Sequence, residues 1–189
     1  MSDQELLDGI VKGDPFTGRQ FADAYQVKVY NICYSFLLNV HDAEDLTQEV
    51  FIEAIRNAGK FRGDSKLGTW LYRIAVNRSL NFIRDNRKRR FWKEIDEFFS
   101  FDGSSQHAGN HEPETYSDLL EQKEQQRLIS EAIASLPEKQ RVAFTLNKLE
   151  DLPYAEVADV MMTTVSSVES LIHRARMGLQ KKLKRYYRL

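Results

Sequence analysis

Between residues 91 and 122 the helical recurrence of apolar residues lapses, and that gap constrains the fold more than any other feature. Phe98 to Ser105 and Gln106 to Thr115 concentrate Ser, Gly, Asn and acids without a sustained period. Such a stretch buries too little apolar surface to order itself. A chain of 189 residues can fill one core, or two cores of about 70–90 residues each. The gap selects the second: an all-α chain of two small helical domains, residues 1–90 and 123–189. A flexible acidic linker over 91–122 joins them, with a short helical start at Trp92 to Phe98.

On both sides of the gap the period is helical. Phe21, Tyr25, Val29, Ile32 and Phe36 are spaced by four, four, three and four, which puts them on one helix face. Asp42 is the expected N-cap of the next helix, with Glu44 and Asp45 in the dipole-favoured first turn. That helix buries Ala43, Leu46, Val50 and Ala54, carries Glu53 on the flank, and turns Asp45, Gln48 and Glu49 outward. Ile52 and Ile55 fall off this face, which predicts apolar contacts on a second side. Gly59 closes the helix, the loop Phe61 to Gly68 follows, and a third helix begins near Thr69 with Trp70, Leu71, Ile74 and Leu80. In the C-terminal third, Leu128, Ile129, Ala132, Ile133 and Leu136 form a stripe that ends at Pro137. A helix with Val142, Phe144, Leu146 and Leu149 follows, then the break Asp151-Leu152-Pro153. Two more helices are expected, Tyr154 to Met161 and Val165 to Leu183, the second capped by Thr164.

The chain carries 27 Lys+Arg and 28 Asp+Glu, a net charge of -1, unlike a simple basic nucleic-acid binder. The total conceals blocks. Residues 42–53 hold five acids and no base, residues 54–90 are net +9, residues 91–126 net -7, and residues 163–189 net +6. Separated blocks of this kind suit separate partners on separate surfaces. Cys33 is the one cysteine, which excludes an intrachain disulfide and a Cys-based zinc cluster and suits a reducing, cytoplasmic setting. No apolar run is long enough for a membrane span, and Met1 to Lys12 lacks signal-peptide character, so no membrane insertion is expected.

Three stretches carry candidate chemistry. The two helices around Met162 have the pattern of a helix-turn-helix, with Ala158 as the small residue at the close approach. Val157, Met161, Val168, Leu171 and Ile172 are its apolar anchors. Ser166, Ser167, Glu169, Ser170, His173, Arg174 and Arg176 would then be exposed, able to meet phosphates or base edges. A plain helical hairpin with a solvated polar face has the same spacing. In residues 54–90 bases interleave with Phe61, Trp70 and Tyr72, a combination suited to single-stranded nucleic acid, although core roles for the aromatics explain it equally and are favoured for Trp70. The acidic helix from Asp42 to Glu53 is either a solvated face or a docking surface for a basic groove. His107 and His111 share a helical spacing in the segment least suited to helix, a poor metal site. Cys33 sits on the apolar side of its helix and reads as packing. With no phosphate loop, nucleophile elbow or zinc-protease pattern, no catalytic residue, metal or cofactor is expected.

Together these stretches resemble the sigma-70 family of bacterial RNA polymerase sigma factors, in particular the extracytoplasmic-function (ECF) group. The matching residues are Asp42 to Phe51 (DAEDLTQEVF), Phe61 to Ser65 (FRGDS) with Thr69 to Asn77 (TWLYRIAVN), and Leu152 to Ala158 continuing through Ser167 to Arg176. The resemblance implies that Asp42, Glu44, Asp45, Leu46, Gln48, Glu49, Phe51 and Glu53 dock on core RNA polymerase. It implies that Phe61, Arg62, Lys66 and Asn77 receive the melted minus-ten element, a base out of the stack being held by stacking and edge hydrogen bonds, while Arg84, Arg87, Lys88, Arg89 and Arg90 track phosphates. It makes the helix-turn-helix, through Ser166, Ser167, Glu169, Ser170, His173, Arg174 and Arg176, the reader of the minus-thirty-five element. Partners so implied are core polymerase, promoter DNA and an anti-sigma factor. Met162 stands where the family often has Gly, Glu169 where many members have Lys or Arg, and Leu171 where many have Arg. The alternative of a different class is a helix-turn-helix regulator whose N-terminal domain binds an effector or protein.

Overall fold

The computed structural model describes residues 3–99 and 128–187. The N-terminal domain consists of α1 (Asp3–Val11), α2 (Pro15–Leu37), α3 (Val40–Asn57), a 3-10 turn (Ala58–Lys60) and α4 (Leu67–Phe99). Helix α5 covers residues 128–134. Helix α6 (Glu138–Phe144) runs into a π-helical turn (Thr145–Leu149), and α7 (Tyr154–Met161) and α8 (Val165–Tyr187) complete the C-terminal domain. Both domains are helical, as expected from the sequence.

Helix ends explain where the boundaries differ from expectation. Asn39, rather than Asp42, caps α3: its Oδ1 accepts the Asp42 N–H at 3.0 Å, so the helix starts at Val40 and Asp42 lies inside the first turn, still favoured by the dipole. Gly59 falls in the 3-10 turn after α3 rather than ending the helix. Helix α4 starts at Leu67 because Asp3 of α1 reaches across and accepts the Leu67 N–H at 2.9 Å. It then runs unbroken through the basic run to Phe99. The expected linker thus loses its first nine residues to α4, and Trp92 to Phe98 is the tail of that helix. Residues 84–99 contain neither Pro nor Gly, so nothing local stops propagation once α4 is nucleated.

Helices α2, α3 and α4 pack against one another, with α1 laid on α2. Their shared interior holds Phe21, Val29, Ile32, Cys33, Ala43, Val50, Leu67, Leu71 and Ala75. Full burial of a side chain such as Ile32 or Leu71 is worth about 1.5–3 kcal/mol. Burial also pushes the Cys33 thiol pKa up, as befits packing rather than reactivity. The second apolar side expected of α3 is absent: Ile52 and Ile55 are each 48% exposed, and the buried residues of α3 are Ala43, Leu46, Val50 and Ala54.

In the C-terminal domain α6 and α7 both pack on α8. Val142, Ala143, Leu146, Val157, Ala158, Val168 and Ile172 are buried there, and a satellite cluster joins Ala132, Ile133 and Leu136 to Ala175 and Leu179. The two domains are not insulated from each other. Helix α4 lies against α7, and α2 lies against the Thr145–Leu149 turn, so buried apolar residues of both domains form one continuous cluster.

Candidate polymerase and nucleic-acid interfaces

The acidic face of α3 is open. Glu44, Asp45 and Gln48 are exposed and, with Gln26, Val27 and Tyr30 of α2, border a shallow groove of about 490 Å³. The other expected docking residues have partners within the domain. Leu46 is buried, and the Phe51 ring meets Phe21 edge-on at 5.4 Å between centroids. Arg78 of α4 lies 3.4 Å from Glu49 Oε2 and donates through Nε to Glu53, which ties α3 to α4. Asp42 is half-buried at the start of the helix.

The minus-ten candidates divide between a loop and a helix stripe. Gly63 takes a φ of 75° in the 61–66 loop, a conformation that costs glycine little. Phe61 packs edge-on against Trp70, centroids 5.4 Å apart, and both rings lean on the core, so Trp70 has the packing role favoured from sequence. Arg62 and Lys66 are exposed. On α4, Arg73, Asn77, Leu80 and Arg84 follow a three-to-four spacing that places them on one side. Arg73, Asn77 and Leu80 line a cleft of about 310 Å³ whose opposite wall is the C-terminal domain, including Glu138, Met162 and Thr163. Phe61 is not part of that wall. The side chains of Arg87, Lys88, Arg89 and Arg90 lie outside the described residues.

Arg73 on the same stripe makes a contact between the domains that no local pattern in the sequence encodes. Its guanidinium donates to the Asp159 carbonyl at 2.8 Å and to the Val160 carbonyl at 3.4 Å, satisfying the free carbonyl end of α7. Spacing locates only its place on the stripe, four residues before Asn77.

The helix-turn-helix has the expected geometry. Met162 adopts the left-handed conformation (φ 51°, ψ 50°) and ends α7 with its N–H directed at Ala158 and Asp159 carbonyls, and the Thr163 N–H reaches the Ala158 carbonyl at 2.9 Å. Thr164 caps α8, its Oγ1 accepting the Ser167 N–H at 3.2 Å. Val168, Ile172, Ala175 and Leu179 point inward, while Ser166, Glu169, Ser170, His173, Arg174 and Arg176 are exposed and Ser167 is half-buried beneath its cap. An exposed helix face of hydroxyls, an imidazole and guanidiniums can meet phosphates and base edges in a major groove.

No group of three metal-binding side chains occurs among the described residues; His107 and His111 lie outside them. No described helix is long and apolar enough to cross a membrane.

Two helical domains, one with an open acidic helix beside a basic one and the other ending in a helix-turn-helix, define an all-helical protein of the helix-turn-helix class. Residues 21–89 match the family described as Sigma-70 region 2, and residues 126–179 match Sigma-70, region 4. The chain is 35% identical over 187 residues to the ECF RNA polymerase sigma-E factor of Escherichia coli K12, covering 97% of this chain and 95% of that one. It is 34% identical over 185 residues to the RNA polymerase sigma-H factor of Pseudomonas aeruginosa, covering 96% and 93%. Among solved structures, the fold is similar to CnrH in complex with the cytosolic domain of CnrY (TM-score 0.67, 21% identity, 96% and 97% covered). It is similar also to the sigma factor RpoE in complex with the anti-sigma factor NepR from Bartonella quintana (TM-score 0.57, 24% identity, 88% and 96% covered). The chain belongs to the sigma-70 family, in its ECF group. Its function is that of a sigma factor, directing RNA polymerase to promoters.

Proposed function

We propose a division of labour for this non-enzymatic, cytoplasmic initiation factor in which each surface has one partner. The exposed acidic face of α3, through Glu44, Asp45 and Gln48 with Asp42, Glu49 and Glu53 beside them, docks on core RNA polymerase by charge complementarity. Lys66, Asn77 and Arg84, with Arg62 and the basic run Arg87 to Arg90, take the melted minus-ten strand, and Phe61 supplies an aromatic face at the loop. Helix α8 enters the major groove of the minus-thirty-five element. Ser170, His173 and Arg174 reach furthest toward the bases. Glu169 accepts from a cytosine amino group in place of the phosphate contact that a cation would make. An anti-sigma factor is a further partner in this reading.

The observation that carries the proposal is the pairing of a Thr164-capped helix-turn-helix with an exposed acidic helix face on the other domain. Transcription in vitro from genomic DNA by core enzyme, with and without this chain, tests it by mapping start sites. New starts that share upstream sequence elements are expected. Duplex binding without promoter-dependent starts would instead make the chain a helix-turn-helix regulator. At the residue level, Phe61→Ala and Asn77→Ala are expected to reduce permanganate-reactive open complexes more than initial duplex binding. Equal losses in both would remove the base-receiving role.

A further inference from the structure

We infer that α1 sets the geometry of the 61–66 loop, and that Asp3 is the positioning residue through which it does so. This role rests on the reading that Phe61 and the loop behind it receive a base of the melted minus-ten strand. Helix α1 meets both ends of that loop. It packs on the 3-10 turn Ala58–Lys60, which leads into Phe61, and the Asp3 carboxylate accepts the Leu67 N–H, where α4 begins, at 2.9 Å. The same helix therefore fixes where the loop leaves the domain and where it returns.

The loop does little to hold itself. Phe61 N–H bonds to the Ala58 carbonyl and Trp70 N–H to the Lys66 carbonyl, each at 3.1 Å. Among the described residues no backbone hydrogen bond holds 62–65, and Gly63 stands at a φ of 75°. The Leu67 N–H is one of the amides that a helix start leaves without an intrahelical partner, and a carboxylate there also suits the helix dipole. Asp3 is carried on a firm support, because Leu6, Leu7 and Ile10 of α1 are buried. The first turn of α4 is seated from α2 as well: a Cβ on Gly68 would stand 3.1 Å from Tyr25 Cε1. Burial and then the Asp3 charge push the Tyr25 phenol pKa up, as expected of a ring close beneath the cap. With its first turn so held, α4 presents Trp70 in a fixed place, and the Phe61 ring leans edge-on against it. A loop already in its receiving geometry gives up less freedom when the base arrives.

The test uses holoenzymes of core RNA polymerase with the full chain or its variants, on a promoter mapped by transcription from genomic DNA. Initial duplex binding is read in the cold and open complexes by permanganate reactivity, both below the melting midpoint of every variant. Asp3→Ala is expected to form about fivefold fewer open complexes, the scale of one lost cap, with duplex binding within about twofold of wild type. Asp3→Asn keeps an oxygen able to cap and should restore open complexes to within about twofold of wild type. Asp14→Ala removes the equivalent cap from α2, which makes no bond to the loop or to α4. It controls for lost stability and should also stay within about twofold. Open complexes at the wild-type level for Asp3→Ala, or a loss in Asp3→Asn or Asp14→Ala as large as in Asp3→Ala, would overturn the inference. The underlying assignment is read separately in Phe61→Ala. No loss there removes the base-receiving role itself, whereas a loss there with none in Asp3→Ala removes only the role of Asp3.

Discussion

Lys28 on α2 and Glu150 at the end of the π-helical turn form an ion pair across 122 residues of chain, Nζ to Oε2 3.9 Å, and Lys28 also donates to the Glu150 backbone carbonyl. Ser35, two turns further along α2, donates its hydroxyl to the other carboxylate oxygen. Glu150 is 4% exposed, and a carboxylate so buried is tolerated because all of this is present. Glu150→Ala takes the carboxylate from the Lys28 ammonium, leaving it the backbone carbonyl, and strands the Ser35 hydroxyl. It is expected to lower stability by about 1–3 kcal/mol in a urea melt, with Glu150→Gln, which keeps the volume and an acceptor for Ser35, losing less. Equal stability of all three proteins would mean that the contact contributes nothing.

Arg78 separates two kinds of acid on α3. Glu53 and Glu49 answer its guanidinium, whereas Asp45 faces the open groove. Glu53→Lys therefore places a like charge beside Arg78 and is expected to lower thermal stability by the equivalent of about 1 kcal/mol, as well as weakening capture of core polymerase. Asp45→Lys should weaken capture and leave the melting temperature within error. A melting loss for Asp45→Lys of the same size would remove the distinction.

Which of these relationships could be read from the sequence depends on their range. The stripes of α2 and α3, the Thr164 cap and the buried anchors of the helix-turn-helix are set by neighbours three or four positions away, and spacing alone locates them. The Asp3 cap on α4, the Glu150 contact with Lys28 and the Arg73 contact with α7 join residues 64 to 122 positions apart; no local pattern encodes them. Residues 91–99 differ from the linker expectation because their composition resembles that of residues 100–122, while the helix that includes them begins upstream at Leu67. Exposure is legible where charge is concentrated, as on α3, but burial within the resemblance motif is not: Leu46 belongs to that motif and also lies at the centre of the core.

Met162 holds a backbone conformation that suits glycine. At φ 51° and ψ 50° a side chain meets its own carbonyl, at a cost of about 1–2 kcal/mol. The Met162 side chain is 73% exposed and returns little packing. Met162→Gly is expected to raise stability by about 1 kcal/mol, read as a higher denaturation midpoint, less the greater entropy that Gly gives the unfolded chain. A fall in the midpoint would show that the side chain packs more than its exposure suggests.

Gly9 permits the close approach of α1 to α2. A Cβ built there would stand 2.4 Å from Thr17 Oγ1 and 2.5 Å from its Cγ2, and Thr17 is buried and bonded to Asp14. Gly9→Ala is expected to cost about 1–3 kcal/mol through overpacking, despite the better helix propensity of Ala. Adding Thr17→Ala removes the obstructing atoms. The double variant should lose less than the sum of the two singles, since contacting residues are not additive, and strict additivity would exclude the clash.

Asp14, the N-cap of α2, accepts hydrogen bonds from the Thr17 hydroxyl, the Thr17 N–H and the Phe16 N–H, at 3.1 Å and 3.3 Å for the two backbone donors. The Thr17 hydroxyl is the largest cause holding its carboxyl pKa below the ordinary 3.8, because these bonds favour the ionised form. A pKa lower in the folded than in the unfolded chain means that the unfolded chain takes up the proton first as pH falls. The contribution of the ionised cap is therefore whole above pH 3.8 and drains away as the pH drops through the lower folded value. In thermal melts Asp14→Ala should trail wild type at neutral pH, and the gap should narrow on acidification below 3.8, whereas Asp14→Asn, an uncharged cap, should show no such narrowing against Asp14→Ala. A wild-type advantage over Asp14→Ala that stays constant down to about pH 2 would assign the cap to neutral hydrogen bonding instead of to the carboxylate.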